Sequence, residues 1–442
     1  MSNATADRLS RGYRRRNERL RRLREAVPEA NAVLGIDLAQ AKQACVVCAP
    51  DHRVLARRIF CHSVWGIDQM VDWAWAIAER EGLGLTVACE PTGHRWKPVL
   101  ERCTRRQITL VCVQPLLVHR SREHDDFTQD RSDPKDATLI ARLARELRCY
   151  LPVAPEPDWA RLRHLGIRRD AKLTDQTAAR QQLRDLLESY WPAALEAAVD
   201  ELGSQTLLAC LLVTTDPEQL LQMRYDVFAR KVTRAVACLG GKRRCHRIMR
   251  AVHVAAADPR TVPWDRAGAA ERAGFALSDL LAAQAAVAEV ADRMVGLLGA
   301  LGYAELAATV PGLSAVGAAA ILGETGDPSR YDSARTWVKH AGICPRDNAS
   351  GRFRGQTTTS RRGRPVLRTA AWRAIWGLLP HNPTFAARHR WLTTRTTNPL
   401  ADGKARAALA AALLRQLWVV FTRRVAWDPA LAGNTQEVVA AA

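Results

Sequence analysis

No run of apolar residues in this sequence reaches the ~18 needed to cross a bilayer, and no secretory signal opens it. Both absences argue against a membrane partner and for a cytoplasmic protein. No glycine-rich phosphate loop follows the first apolar run, which argues against a doubly wound nucleotide-binding fold. The 11 cysteines, an odd number scattered from Cys45 to Cys344, do not form a disulfide framework and fit reduced thiols. Cys45 and Cys48, followed by Cys61-His62, have a loose zinc-like spacing, but the sequence there reads as a strand, in which residues three apart face opposite ways. No zinc site is expected there, nor at Cys238 with Cys245-His246. Acidic residues are also few: 45 Asp and Glu against 65 Lys and Arg leave a net charge of +20. The basic residues are mostly arginine, suited to bidentate phosphate contact, so a nucleic acid is the expected partner.

At 442 residues the chain is long enough for two or three domains. Residues 1–30 carry many arginines, Arg14, Arg15 and Arg16 among them, with few apolar residues; they read as a basic arm that contacts nucleic acid. Residues 31–154 begin with strands as a meander (VLGIDL, ACVVCA, RVLARRIF) and then alternate strands with helices. That order predicts an α/β domain of ribonuclease H-like type. Trp65, Trp73 and Trp75 fall in its first helical segment and read as packing residues. Residues 155–300 are rich in Ala, Leu, Arg, Gln and Glu with apolar residues at three and four, which predicts two long helices and a coiled-coil linker. Residues 301–425 form a mainly α C-terminal region, and 426–442 a tail.

Asp37 stands at the middle or end of an otherwise apolar strand, where a carboxylate is costly unless something pairs with it. Glu90 closes a second apolar strand, LTVACE, just before Pro91-Thr92-Gly93. The stretch SDPKDATLI places Asp133 and Asp136 at a helix start, with Pro134 suited to the first turn, so Asp133 as N-cap and Asp136 at N3 would account for both. Three residues is also nearly one helical turn, so both carboxylates share a face and can converge in front of the helix. Four acids from three elements would make an oxygen-rich pocket for Mg²⁺ or Mn²⁺ and phosphodiester chemistry.

Further along, VPGLSAVGAAAI has the form of a helix-hairpin-helix, with Gly312 and Gly317 allowing a tight hairpin whose backbone amides bind phosphate. A plain helical corner fits the same residues. The loop from Pro345 to Pro365 presents Arg346, Arg352, Arg354, Arg361, Arg362 and Arg364 among hydroxyl residues, a phosphate-binding pattern. Composition alone promotes none of its hydroxyls to a nucleophile.

Taken in order, GIDLAQAK, CEPTGH, DRSDPKDATLIARL, the Pro-Gly-Leu hairpin and NASG with an Arg-Gly-rich run resemble the DEDD-type insertion-sequence transposases of the IS110 family. The resemblance spans about Val33 to Arg424. It implies a RuvC-like domain, a coiled-coil linker and a C-terminal transposase domain. It further implies that Asp37, Glu90, Asp133 and Asp136 bind the metal and that Ser350, before Gly351, is the nucleophile. The implied reaction is DNA strand cleavage, exchange and rejoining through a phosphoserine link, with no nucleotide cofactor because the covalent bond conserves the energy. A noncoding bridge RNA is the implied guide to the element ends and target, and a homo-oligomer, dimer or tetramer, the implied assembly, cytoplasmic and associated with the nucleoid. The sequence departs from the pattern in its long Arg-rich lead and in Ala39-Gln40 after Asp37. Two other readings compete: a RuvC-like structure-specific endonuclease with water as nucleophile, and a non-enzymatic nucleic-acid binder whose acids are helix caps.

Overall fold

The computed structural model describes residues 10–125, 132–257, 263–346, 349–350, 353–355 and 358–432. The chain divides into two compact units, Met1–Ala154 and Pro155–Ala442.

The first unit is built on a five-stranded sheet. Its elements run α1 (Arg11–Ala26), β1 (Asn31–Asp37), β2 (Lys42–Cys48), β3 (Val54–Cys61), α2 (Val64–Arg80), β4 (Gly84–Cys89), α3 (Trp96–Arg105), β5 (Thr109–Cys112), α4 (Pro115–Asp125) and α5 (Asp133–Arg145). Spatially the order is β3-β2-β1-β4-β5. The first three strands form an antiparallel meander, while β4 runs parallel to β1 and β5 parallel to β4. This is consistent with a ribonuclease H-like domain.

Strand alternation divides the sheet's side chains between two cores. Ala32, Leu34, Ile36, Val87 and Cys89 pack with α2 and α3, whereas Val33, Val46, Ala88 and Val111 pack with α1 and α5. Cys45 and Cys48 fall in opposite cores, as the strand reading requires. The contact of α5 with the sheet is unusually close. A Cβ placed on Gly35 would lie 2.0 Å from the carbonyl oxygen of Ala137 and 3.0 Å from the Cβ of Ala141. Glycine in β1 facing two alanines one turn apart on α5 brings helix and strand backbones together.

Two expectations change here. The basic lead is not coreless, because Leu23, Ala26 and Val27 at the end of α1 are buried against the sheet. Its first turns remain exposed, Arg14, Arg15 and Arg16 among them. Of the tryptophans, Trp73 packs on Phe60 with ring centroids 5.3 Å apart, but Trp65 and Trp75 are 69% and 47% exposed and lie outside the core.

The second unit begins with α6 (Pro157–Tyr190), which runs antiparallel to the helix Pro263–Ala300. At one end of this pair Leu162 shares a core with Met294 and Leu297; at the other, Leu183 and Leu187 share one with Ala273, Leu277 and Leu280. The described contact between the long helices is thus within one chain. Residues 192–255 form short helices around the second core, anchored by Trp191, whose indole N–H donates to the carbonyl of Ala255 at 2.9 Å. The C-terminal helices Ala315–Thr325, Ala334–Ala341, Pro365–His381, Pro383–Thr394 and Asp402–Arg423 enclose the first core.

Among the described residues two helices, Trp264–Ala300 and Asp402–Arg423, are long and apolar enough to cross a membrane by length and composition alone. The apolar window of the second is 56% buried in the C-terminal core, which explains its composition without a membrane. Trp427, within the 426–442 tail, is fixed to the C-terminal helices: its backbone N–H donates to Thr309 Oγ1 and its indole N–H to Gln416 Oε1, both at 2.9 Å.

Candidate active site

Asp37 is the last residue of β1, and Glu90 immediately follows β4. The two strands are parallel, with Ile36 opposite Cys89, so both carboxylates leave the sheet at the same end. Alternation also puts them on the same side: Asp37 follows Gly35 and Glu90 follows Ala88, both facing α5. The close packing of α5 on Gly35 carries its N-terminus, with Asp133 and Asp136, to that end of the sheet. Sheet register, alternation and one glycine thus gather four acids from distant parts of the sequence.

Their mutual influence shows in the titration of Asp37, which is pushed up to about 6, by burial first and then by the negative charges of Asp136, Asp133 and Glu90. Glu90 is raised as well, chiefly by burial and against the pull of the Thr92 hydroxyl and Arg122. The capping expectation needs adjusting. The N-cap is Ser132, with no side-chain capping bond, and Asp133 is already the first helical residue. The carboxylate of Asp136 does not cap the helix either: Arg122 holds it bidentately, Nε to Oδ1 at 2.7 Å and Nη2 to Oδ2 at 2.6 Å.

Among the described residues no three His, Cys, Asp or Glu side chains are gathered closely enough to hold a metal ion as they stand. The physical reason is at hand, since the carboxylates repel one another and the Arg122 guanidinium draws Asp136 to itself. Arg122, in α4, was not legible as a site residue, because nothing in PLLVHRSREHD distinguishes it from a surface arginine. As the countercharge of Asp136 it competes with any cation for that carboxylate. Arg122→Gln is therefore expected to tighten Mn²⁺ binding by about tenfold, measured by isothermal titration; unchanged or weaker binding would show that Arg122 orients the acids.

In the second unit, Gly312 has φ +82°, and a Cβ there would lie 2.5 Å from the carbonyl oxygen of Gly377 in helix Pro365–His381. Gly377 is equally constrained, its own Cβ falling 2.6 Å from the Gly312 oxygen. The hairpin glycine thus serves a left-handed turn and a backbone-to-backbone contact. The N–H of Gly317 donates to Ser314 Oγ at 3.1 Å, so this hairpin amide is taken up by the helix cap.

The strands Ala349–Ser350 and Phe353–Arg354 pair, with Ser350 opposite Phe353. The side chains of Ser350 and Arg354, and all of Arg352, lie outside the described residues. Arg346, Arg361 and Arg362 are exposed. Arg364 differs from them, its Nε donating to the buried carboxylate of Glu324 at 2.6 Å, so its guanidinium is engaged within the fold.

A mixed sheet of this order, with acids at the ends of its first and fourth strands and on the helix packed over them, is consistent with a DEDD, ribonuclease H-like domain. Comparison with known proteins agrees. Residues 34–192 match the DEDD transposase domain of IS110, and residues 304–390 match the transposase IS116/IS110/IS902 family. The chain is 26% identical over 335 residues to the "Mini-circle putative transposase for IS117" of Streptomyces coelicolor, covering 72% of this chain and 77% of that protein. The chain belongs to the IS110 family of insertion-sequence transposases.

Proposed function

We propose that the protein cleaves and rejoins DNA at the ends of an insertion sequence and at its target, with Ser350 as nucleophile and the four acids as the metal site. The observation that carries this reading is the register of β1 and β4 under α5, which gathers Asp37, Glu90, Asp133 and Asp136 at one end of the sheet. An all-oxygen donor set suits Mg²⁺ or Mn²⁺. The raised affinity of Asp37 for a proton comes from burial first and then from the three neighbouring carboxylates, which fits a cluster short of positive charge. When bound, the metal neutralises charge on the scissile phosphate and activates the attacking or leaving oxygen.

Ser350 Oγ attacks the scissile phosphorus, forming a phosphoserine bond as a P–O bond of the strand breaks and the released oxygen takes up a proton. Attack by a strand hydroxyl on the phosphoserine reverses the step, returns the serine and joins the new strand. Phosphodiester count is conserved, so no nucleotide is consumed. Exposed Arg346, Arg361 and Arg362, with Arg352 and Arg354, would hold backbone phosphates, as would Arg14, Arg15 and Arg16 on α1. Gly312 would support this surface through hairpin shape, and Gly317 through the start of the following helix. Guidance by a noncoding RNA, assembly as a dimer or tetramer, and a cytoplasmic, nucleoid-associated location complete the reading.

Incubation of the protein with Mg²⁺, RNA from the element's flank and labelled element-end DNA is expected to give a denaturation-resistant protein–DNA adduct, lost in Ser350→Ala and in Asp133→Ala. Cleavage that survives Ser350→Ala without an adduct would replace this reading with that of a metal-dependent structure-specific endonuclease.

A further inference from the structure

The second unit holds a cavity of about 300 Å³ outside the hairpin and the serine loop, lined by Ala334, Arg388, Ala412, Arg415, Val419, Trp427 and neighbours. Its walls combine two chemistries. The lining is apolar at Ala412, Val419 and Val420 of helix Asp402–Arg423 and at Trp427, which is held in place by its bonds to Thr309 and Gln416. It is also cationic: Arg388 comes from helix Pro383–Thr394, and Arg415 comes from the same face of helix Asp402–Arg423 as Ala412 and Val419. Arg335, on helix Ala334–Ala341, is close enough to act on Arg415.

The guanidinium of Arg415 is pushed below its ordinary value by burial first, although the side chain as a whole reaches solvent, and then by Arg388 and Arg335. No acid offsets them in that balance. Asp428 is the carboxylate lining the cavity, and its Oδ1 accepts the backbone N–H of Ala430 at 2.7 Å. Arginines converging from three helices beside an apolar slot with a fixed indole suit an anion that carries an apolar or aromatic group. A nucleotide unit has both parts, a phosphate and a flat base, and the cavity is large enough for one base.

We propose that this cavity binds one unpaired nucleotide of a single-stranded segment, its base in the slot between Trp427 and Val419 and its phosphate on Arg388 and Arg415. This deepens the reading of the chain as a nucleic-acid enzyme. Because the test reads binding and not strand cleavage, failure of one does not decide the other.

The test measures binding of fluorescently labelled oligonucleotides to the full chain by anisotropy across a salt series. The probes are a dT12 strand, the corresponding rU12 strand, an abasic strand of equal length and a duplex. Arg388→Ala with Arg415→Ala is expected to weaken single-strand binding about tenfold and to lower the log–log salt slope by about 1. Val425→Phe, which fills the cavity mouth from an exposed position, is expected to weaken dT12 or rU12 about fivefold and leave the abasic strand unchanged. The strand that loses more identifies the source as DNA or RNA. Equal losses for duplex and single strands would overturn the proposal in favour of a general basic surface, and no loss in either variant would overturn it outright. Circular dichroism melts of both variants, expected to match the parent, separate a binding loss from a folding loss.

Discussion

Asp37→Asn is expected to lower strand cleavage at least about a thousandfold and, in metal-free buffer near pH 7.5, to raise the melting temperature of the protein. The two effects have one source. Folding buries Asp37 beside three other carboxylates and pushes it up to about 6. A carboxylate with a raised folded-state value binds its proton more tightly in the native than in the unfolded chain. Its unfavourable contribution is therefore absent below the unfolded value of about 4, grows as pH rises to about 6, and is constant above that. The amide carries no charge, so the substitution removes the penalty. A full two-unit shift would correspond to about 3 kcal/mol; partial exposure of the side chain reduces the expected gain to about 1–2 kcal/mol. Thermal melts near pH 7.5 and pH 4 check this, and the gain must vanish at the lower pH. Added Mg²⁺ should raise the melting temperature of the parent and leave Asp37→Asn nearly unmoved. A variant less stable than the parent at both pH values would mean that Asp37 is a structural residue of the strand end and the cluster reading is wrong.

Gly35→Val is expected to have the larger effect on folding. The carbonyl oxygen of Ala137 lies 2.0 Å from where even an alanine Cβ would sit, and the obstructing atom is helix backbone, which cannot rotate away. Either α5 moves off the sheet or β1 distorts, at a cost of about 3 kcal/mol or more. Helix α5 carries Asp133 and Asp136, so its displacement separates the two halves of the acid cluster. Urea unfolding should show the loss of stability, and cleavage should fall at least about a hundredfold even at temperatures where the variant remains folded. Gly35→Ala should show the same pattern in weaker form. A variant that kept parental stability would show that α5 does not rest on this glycine.

Much of this site was legible in the sequence because it depends on short-range rules. VLGIDL and LTVACE announce buried strands by their apolar runs, and an acid closing each is conspicuous. The pair in SDPKDATLI declares a helix start by proline and spacing. What could not be read was the pairing. That β1 and β4 are parallel neighbours with Ile36 opposite Cys89 is a matter of sheet order, fixed by packing between segments about fifty residues apart. Arg122 was missed for a related reason, since an arginine's partner depends on where two helices meet. Trp65 and Trp75 misled in the other direction. Tryptophan is usually well buried, but on α2 the inward stripe is filled by Ile67, Met70, Val71 and Ala74, and these two indoles fall on the outer side. The glycines of the hairpin were recognised as a turn; their service as packing surfaces against another helix left no local mark.

The contact between Gly312 and Gly377 bears on how the C-terminal unit can move. Side chains that interdigitate leave room to slide by changing rotamer, but two backbones in direct contact have no such freedom. The hairpin turn and helix Pro365–His381 are therefore mechanically one piece, and displacement of either is passed to the other without slack. Any rearrangement within the C-terminal helices would therefore have to carry these two segments together.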